Sequence, residues 1–193
     1  MGLATSFRLR VQRYSPMSDS IQTKRLCLRP FREGDAQAAF QWLGDPLVMR
    51  FTPNGPDRDI RQTAARIANY RIHQSRYGFS RWILMEQASG QAIGDAGLLF
   101  LEEYGWVDFG YRLAEPFWGR GLATEAGSAW VEKAFTELGL ERLTAIVHTE
   151  NHASMRVLAK LGFFQERQDV IRGMRCLVYG LTSARLRTPH PRD

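Results

Sequence analysis

The sequence predicts an α/β domain in which a mixed β-sheet carries helices on its faces. Apolar and polar side chains alternate in WVDFGYRLA (residues 106–114), which is typical of a strand with one buried face. Residues 122–138 instead repeat apolar side chains at helical spacing. Segments of the two kinds follow in the order strand, two helices, three strands, helix, strand, helix and two strands. A chain of 193 residues with this pattern is expected to form one domain.

The pattern starts with one strand and two helices. RLCLRPF (25–31) predicts the strand, which Pro30 closes because proline cannot extend a ladder. One helix is expected within 33–46, where Asp45-Pro46 stops it, and another within 58–78. Their expected core positions are Ala36, Ala39, Phe40 and Leu43 in the first helix, and Ile60, Ala64, Ile67 and either Tyr70 or Ile72 in the second.

The middle of the chain predicts three strands. Residues 81–101 are interpreted as strand, turn and strand, with the turn at ASG (88–90). The strand within 106–114 follows, and its two faces differ in chemistry. One face carries Val107, Phe109, Tyr111 and Leu113, and the other carries Asp108 and Arg112.

The C-terminal part predicts a helix over 122–138, a strand over 142–150, a helix over 152–162 and a hairpin of 163–171 with 175–182. The core stripe expected on the first of these helices is Leu122, Ala126, Ala129, Trp130 and Ala134.

Composition narrows the class of protein. No run of about 18 apolar residues is present, so no membrane span is expected. The first residues lack the apolar block of a secretory signal, which favours a cytoplasmic protein. Cys27 and Cys176 are isolated, and they predict reduced thiols rather than a disulfide framework or a metal site. We expect a loose extension at 1–20, the domain at 21–183 and a tail at 184–193.

The net charge of +6 is concentrated near the chain ends. Residues 1–20 carry three arginines and one aspartate, and so do residues 183–193. This distribution favours non-specific attraction to anions over a specific nucleic-acid site. Nucleic-acid binding through these tails remains a separate hypothesis, and it predicts steep salt dependence.

PFWGRGLATEA (116–126) places two glycines, Gly119 and Gly121, at the start of a predicted helix. The first N–H groups of a helix lack internal partners and attract anions, and glycines let phosphate oxygens approach them. A tight turn that needs glycine is the alternative. The stretch is not a phosphate loop of the Gly-Lys-Ser/Thr type, and Thr124 stands where a dinucleotide fingerprint has its third glycine.

Four ordered motifs resemble the GNAT N-acetyltransferase superfamily, in particular its RimJ/RimL-like branch of ribosomal-protein N-terminal acetyltransferases. They are TKRLCLRPFREGDA, DPLVMRF, VDFGYRLAEPFWGRGLATEA and NHASMRVLAKLGF, and the resemblance covers residues 23–182. Trp118 departs from the broad superfamily pattern but is usual in this branch. The resemblance implies a mostly antiparallel sheet of about seven strands and about four helices, with a V-shaped opening between the fourth and fifth strands.

The resemblance also implies an acetyl-coenzyme A site and no metal. The backbone of Tyr111, Arg112 and Leu113 would pair with the pantetheine arm, and the amides of 119–124 would hold the pyrophosphate. Lys160 is a further candidate, with Arg156, for the 3′-phosphate. The implied coenzyme residues are Tyr111, Arg112, Leu113, Trp118, Gly119, Arg120, Gly121, Leu122, Ala123, Thr124, Asn151, Ser154 and Arg156.

Asp108 is the first candidate for the base that deprotonates the attacking amine, because it matches the acidic position of the branch. Glu103 and His148 are alternatives, and a structural carboxylate paired with Arg112 or Arg81 is the non-catalytic interpretation. Many superfamily members protonate the departing thiolate with a tyrosine seven residues after the late asparagine.

Seven residues after Asn151 this chain has Leu158 instead of the tyrosine, so Ser154 is the expected substitute as proton donor. The N–H of Leu113 is expected to stabilise the oxyanion.

The expected function is transfer of an acetyl group to a primary amine, either the N-terminal α-amine of a protein or the amine of a small molecule. A non-catalytic sensor of acyl-coenzyme A is the alternative. Neither a membrane nor a specific nucleic acid is expected as a partner, and a homodimer is an expectation from the family alone.

Overall fold

Eight strands and six α-helices occupy residues 20–186, the part of the chain that the computed structural model describes. The strands are β1 (Ile21–Gln22), β2 (Leu26–Pro30), β3 (Arg81–Glu86), β4 (Ala92–Leu101), β5 (Trp106–Leu113), β6 (Arg142–His148), β7 (Phe164–Ile171) and β8 (Met174–Thr182). The helices are α1 (Ala36–Leu43), α2 (Pro46–Met49), α3 (Ile60–Tyr77), α4 (Leu122–Thr136), α5 (His152–Lys160) and α6 (Ser183–Leu186). Nearly all of the expected extension, and residues 187–193 of the expected tail, lie outside the described residues.

The predicted α/β class is confirmed, with one strand and two short helices more than expected. The additional strand, β1, has two residues that pair antiparallel with β2, which is too short to leave a periodic pattern. The additional helix α2 begins where a stop was expected. Asp45 caps it, because its Oδ1 accepts the N–H of Leu47 at 2.7 Å while Pro46 occupies the first helical position.

The strands form one sheet in the order β1-β2-β3-β4-β5-β6-β8-β7. Every neighbouring pair is antiparallel except β5 and β6, which run parallel and are in register at Asp108 and Thr144. The two strands pair only at this position, and the residues that follow in each strand, 109–112 and 145–148, line a cavity instead. This is the expected V-shaped opening, and it lies between the fifth and sixth strands because β1 adds one to the count.

Two apolar layers cover the two faces of the sheet. On one side, α4 and α5 pack on Phe109 and its neighbours, and Trp82 meets Trp130 edge to face at 5.0 Å. On the other side, α1 and α3 pack around Ile83. The alternation predicted for β5 is confirmed, since Val107, Phe109 and Leu113 are buried on the α4 side.

Some helix positions expected in the core are wrong. Ile60 and Ala64 are exposed, whereas Ile67 is buried as expected. Of the two alternatives Tyr70 and Ile72, Tyr70 is the buried one. Trp42 is buried although its position was not predicted, because its indole N–H donates to the buried Asp95 at 2.6 Å. Both cysteines are free, Cys176 buried and Cys27 half-buried. No helix within residues 20–186 combines the length and the apolarity needed to cross a bilayer.

Candidate active site

The loop between β5 and α4 has a conformation that its two glycines make possible. Gly119 and Gly121 have φ angles of 72° and 77°, in the left-handed region that other residues avoid. A Cβ added at Gly119 would meet no atom within 4 Å, and one at Gly121 would meet only the Arg25 guanidinium at 3.6 Å. The tight-turn interpretation therefore holds, and the space beside both glycines is open as a ligand site requires.

Glu125, in the first turn of α4 directly after this loop, is hydrogen-bonded to the turn between β1 and β2. The Glu125 carboxylate accepts hydrogen bonds from the Thr23 hydroxyl at 2.6 Å, and from the Arg25 N–H and Nε at 2.7 and 2.6 Å. Arg25 also donates from Nη1 to the carbonyl of Arg120 at 2.8 Å. The sequence offers a local signal only for Glu125, an acidic residue in the first turn of a helix.

A cleft of about 300 Å³, here called the loop-side cleft, opens between this loop, the end of β5, α2 and α5. All but one of the coenzyme residues implied by the sequence line it. They are Tyr111, Arg112, Leu113, Trp118, Gly119, Gly121, Leu122, Ala123, Thr124, Asn151, Ser154 and Arg156. Arg120 is the exception, because its guanidinium pairs with Glu86 at 2.7 Å. Lys160 lines the cleft as well, and both Arg156 and Lys160 are exposed on α5.

The edge of β5 presents backbone groups to this cleft. The N–H of Ala114 bonds the carbonyl of Ile93 on β4, and bonded pairs alternate along an antiparallel ladder. The backbone groups of Tyr111 and Leu113 therefore point away from β4, toward the opening. The Trp118 indole N–H donates to the Leu113 carbonyl at 2.7 Å, and its side chain is 42% exposed. The Trp118 side chain therefore lies outside the core, whereas Leu122 is buried.

Helix α5 and strand β5 bring two hydroxyl groups together in the wall of the cleft. Asn151 caps the helix, since its Oδ1 accepts the N–H of Ser154 at 3.1 Å. The Ser154 Oγ lies 3.1 Å from the hydroxyl of Tyr111. Burial raises the pKa of Tyr111, and the hydrogen bond with Ser154 opposes this rise. The family resemblance implied a role in coenzyme binding for the Tyr111 backbone alone, and no sequence motif pointed to its hydroxyl.

A second cavity of about 290 Å³, here called the arginine-lined cavity, lies on the opposite side of the opening. It shares six lining residues with the loop-side cleft, namely Val48, Phe51, Tyr111, Arg112, Asn151 and Ser154. The two spaces therefore meet where the Tyr111 and Ser154 hydroxyls lie. Four arginines among its lining residues give the cavity its name. They are Arg66, Arg81, Arg112 and Arg172.

Asp108 lies in the wall of the arginine-lined cavity with its side chain 13% exposed. Its Oδ2 accepts from Arg81 Nη2 at 2.8 Å, and its Oδ1 accepts the backbone N–H of Ile146 on β6 at 3.2 Å. Burial raises the pKa of Asp108 to about 6, although Arg81 and the Ile146 N–H favour the charged form. Asp108 therefore makes the ion pair with Arg81 that the non-catalytic interpretation expected, and it also lines the cavity.

Arg81 is almost fully buried and reaches Asp108 across the sheet. Its Nη1 also donates to the carbonyls of Gly97 and Gly110. A Cβ at Gly110 would lie 2.5 Å from the Arg81 guanidinium, so glycine at this position makes room for the arginine.

The other candidate bases are placed less favourably. Glu103 is exposed and pairs with Arg172 at 2.6 Å. His148 lines the arginine-lined cavity, stacks on Phe51 with ring centroids 5.1 Å apart, and accepts the N–H of Glu150 at Nδ1. Arg112 does not pair with Asp108, because its guanidinium binds the buried Asp95 at 2.7 Å.

Comparison with known proteins identifies this combination of loop, cleft and cavity. A family model described as "Acetyltransferase (GNAT) domain" matches residues 25–164. A curated relative, "Uncharacterized N-acetyltransferase YoaA" of Bacillus subtilis (strain 168), is 32% identical over 148 residues, which cover 76% of this chain and 83% of that protein.

Solved structures show the same fold. "Mycobacterium smegmatis RimJ in complex with CoA-disulfide" superposes with a TM-score of 0.75 at 23% identity, covering 88% of this chain and 90% of that one. A ribosomal-protein-S5-alanine acetyltransferase from Vibrio fischeri superposes with a TM-score of 0.70 at 17% identity, covering 84% of this chain and 96% of that one. With the family match and the YoaA similarity, the chain belongs to the GNAT family and is an N-acetyltransferase that depends on acetyl-coenzyme A.

Proposed function

We propose that the protein transfers the acetyl group of acetyl-coenzyme A directly to a primary amine bound in the arginine-lined cavity, with Asp108 as the base. The observation that carries this proposal is the meeting of the two spaces at Tyr111 and Ser154, with Asp108 in the wall of the second. A donor on one side and an amine on the other could react there without a covalent enzyme intermediate.

The loop-side cleft fits the coenzyme in shape and in chemistry. The helix start at Gly121 offers N–H donors to a pyrophosphate, and the β5 edge offers backbone groups to the amide-containing pantetheine arm. Arg156 and Lys160 are available to the 3′-phosphate at the α5 side. Bound acetyl-coenzyme A supplies a thioester, which is an activated acetyl donor.

Asp108 is suited to take the proton that the attacking amine must lose. An α-amine with a pKa near 8 is only about a tenth neutral at pH 7, so a base increases the reactive fraction and the rate. A carboxyl group with a pKa of about 6 is mostly ionised at neutral pH and is more basic than an ordinary aspartate. His148, on the same cavity wall, is available to pass the proton on.

Tyr111 and Ser154 are suited to donate a proton to the sulfur that leaves. A thiol has a pKa of about 8.5, so its departure as a thiolate at pH 7 benefits from a nearby hydroxyl donor. Tyr111 and Ser154 lie at the junction of the two spaces, and each hydroxyl can hold the other in place. Leu158, which replaces the tyrosine of many superfamily members, is buried beside the arginine-lined cavity and offers no proton.

The acceptor belongs to one of two classes, a protein N-terminal α-amine or a small-molecule amine. Similarity in fold to an enzyme named for a ribosomal protein supports the first class. The small volume of the cavity, about 290 Å³, supports the second. Release of free thiol with acetyl-coenzyme A and a panel of N-terminal peptides and small amines tests the proposal. Tight coenzyme binding without thiol release from any acceptor would identify an acyl-coenzyme A sensor instead.

A further inference from the structure

We infer that the acceptor carries an anionic group close to its amine, as a free amino acid does, and that Arg66 and Arg112 bind this group. The inference rests on the proposed function, because it assigns a substrate class to the arginine-lined cavity. It depends on where the arginines and their counterions lie.

Arg66 and Arg112 line the cavity, whereas the carboxylates that pair with them do not. Arg66 binds Asp57 at 2.5 Å through Nη2, and Arg112 binds Asp95 at 2.7 Å through Nη2. Both arginines line the cavity, but the side chains of Asp57 and Asp95 are 0% exposed and are not part of its wall. A ligand in the cavity therefore meets the cations directly and the anions only at a greater distance.

Both arginines retain a hydrogen-bond donor for a ligand. Their bonds to the described residues use Nε and Nη2, and within residues 20–186 the Nη1 of each makes no hydrogen bond. The Tyr70 hydroxyl, which also lines the cavity, accepts from Arg112 Nη2 at 2.7 Å. The positive charge of Arg112 acts to lower the pKa of Arg66, and an anion bound by both guanidinium groups would oppose this effect.

The cavity offers little to an acceptor with several positive charges. Of the described residues that line it, Asp108 alone carries a carboxylate, and Arg81 already pairs with that group. A polyamine would need several carboxylates to replace its hydration, and it would meet four arginines. An amino acid brings a single amine, which needs only one base, and one carboxylate for the Arg66 and Arg112 pair.

Matched acceptors test the inference. Glycine, L-alanine, L-leucine and L-phenylalanine would each be assayed as free acid and as amide, with 2-aminoethyl phosphate against ethanolamine, and with spermidine as the cationic comparison. We expect kcat/KM to favour the anionic member of at least one pair by about tenfold, which corresponds to about one charge-assisted hydrogen bond. Tripeptides that start with Ala-Glu or Ala-Gln distinguish a free amino acid from an acidic protein N-terminus.

A double variant identifies the residues responsible. Asp57→Asn with Arg66→Gln removes the guanidinium without leaving a buried charge, and it should reduce the acid-to-amide ratio severalfold while the KM for acetyl-coenzyme A stays unchanged. The control is Arg76→Gln, an arginine on the same helix that is 63% exposed and should leave the ratio unchanged. Equal or faster reaction of every amide, of ethanolamine and of spermidine would overturn the inference.

A binding measurement distinguishes failure of this inference from failure of the proposed function. If no amine in the panel is acetylated, binding of N-acetyl-L-alanine and of its amide to the coenzyme-bound protein still tests the cavity. The inference then predicts tighter binding of the acid, and equal binding of the two would overturn it.

Discussion

The hydroxyl of Tyr111 lies 3.1 Å from the Oγ of Ser154, and this pair stands where the loop-side cleft and the arginine-lined cavity meet. Tyr111 comes from β5 and Ser154 from the first turn of α5, so the contact joins two elements that border the opening of the sheet. Burial keeps the Tyr111 hydroxyl protonated at neutral pH, because it raises the pKa of the group. The Tyr111 hydroxyl therefore carries a proton at neutral pH, as the proposed proton donor must.

Removing these hydroxyls should slow the chemical step. Tyr111→Phe is expected to lower kcat about a hundredfold, within the range for loss of a general acid, with the Kd for acetyl-coenzyme A changed less than about threefold. Ser154→Ala should have a smaller effect, because the Asn151 cap uses the backbone N–H of residue 154. Tyr77→Phe is the control and should leave kcat unchanged, because the Tyr77 hydroxyl bonds the exposed Glu102 and the residue lines neither space. An unchanged kcat in Tyr111→Phe would remove the tyrosine from the mechanism.

The pH dependence of kcat/KM should report Asp108. Its carboxyl accepts a proton only when ionised, so activity should fall about tenfold per pH unit below its pKa of about 6 and level off above it. Asp108→Asn should lower kcat and abolish this acidic limb without a comparable loss of coenzyme affinity. A variant that keeps the limb near pH 6 would assign the titration to another group, with His148→Gln as the next variant to measure.

A comparison of alanine variants at two glycines distinguishes the cost of backbone strain from the effect of blocking the ligand. Gly119 and Gly139 have φ angles of 72° and 62°, and at each an added Cβ would meet no atom within 4 Å. Replacement by alanine should therefore cost similar stability, on the order of 1–2 kcal/mol. Only Gly119→Ala should also weaken acetyl-coenzyme A, by about tenfold in calorimetric titration, because Gly139 lies beyond α4 and outside the cleft. Equal coenzyme affinity in the two variants would mean that the loop needs glycine for its turn alone.

The Glu125 anchor should affect the coenzyme more than the amine. Glu125→Ala frees the loop from Thr23 and Arg25, and we expect the KM for acetyl-coenzyme A to rise about three- to tenfold, as loss of hydrogen bonds to a charged group implies. Glu125→Gln keeps one acceptor oxygen and should be intermediate. Glu132→Ala, at an exposed position of the same helix, is the control. Parallel increases in both KM values would indicate a general structural effect instead.

The elements and motifs that depend on neighbouring residues could be predicted from the sequence. The alternation in β5, the helix start after Gly121 and the cap at Asn151 are all encoded within a few positions. The family resemblance added the position of the opening. Most of the residues implied for the coenzyme line one cleft because the segments 111–113, 118–124 and 151–156 all border that opening.

Partners far apart in sequence could not be predicted. Arg25 and Glu125 are 100 positions apart, and Trp42 and Asp95 are 53 apart, so neither pair leaves a periodic or local signal. The arginines of α3 are a related case. Nothing in the local sequence distinguishes Arg66 from the other arginines of the helix, but the buried Asp57 binds it and it lines a cavity.

A crystal structure with acetyl-coenzyme A bound would show whether the acetyl donor reaches the acceptor cavity at Tyr111 and Ser154. We expect the pyrophosphate on the amides of residues 119–124 and the pantetheine arm along Tyr111 and Leu113. The sulfur should lie at the Tyr111 and Ser154 hydroxyls, with its acetyl group directed toward Asp108. Coenzyme bound elsewhere, or a sulfur that does not reach the junction of the two spaces, would contradict this expectation.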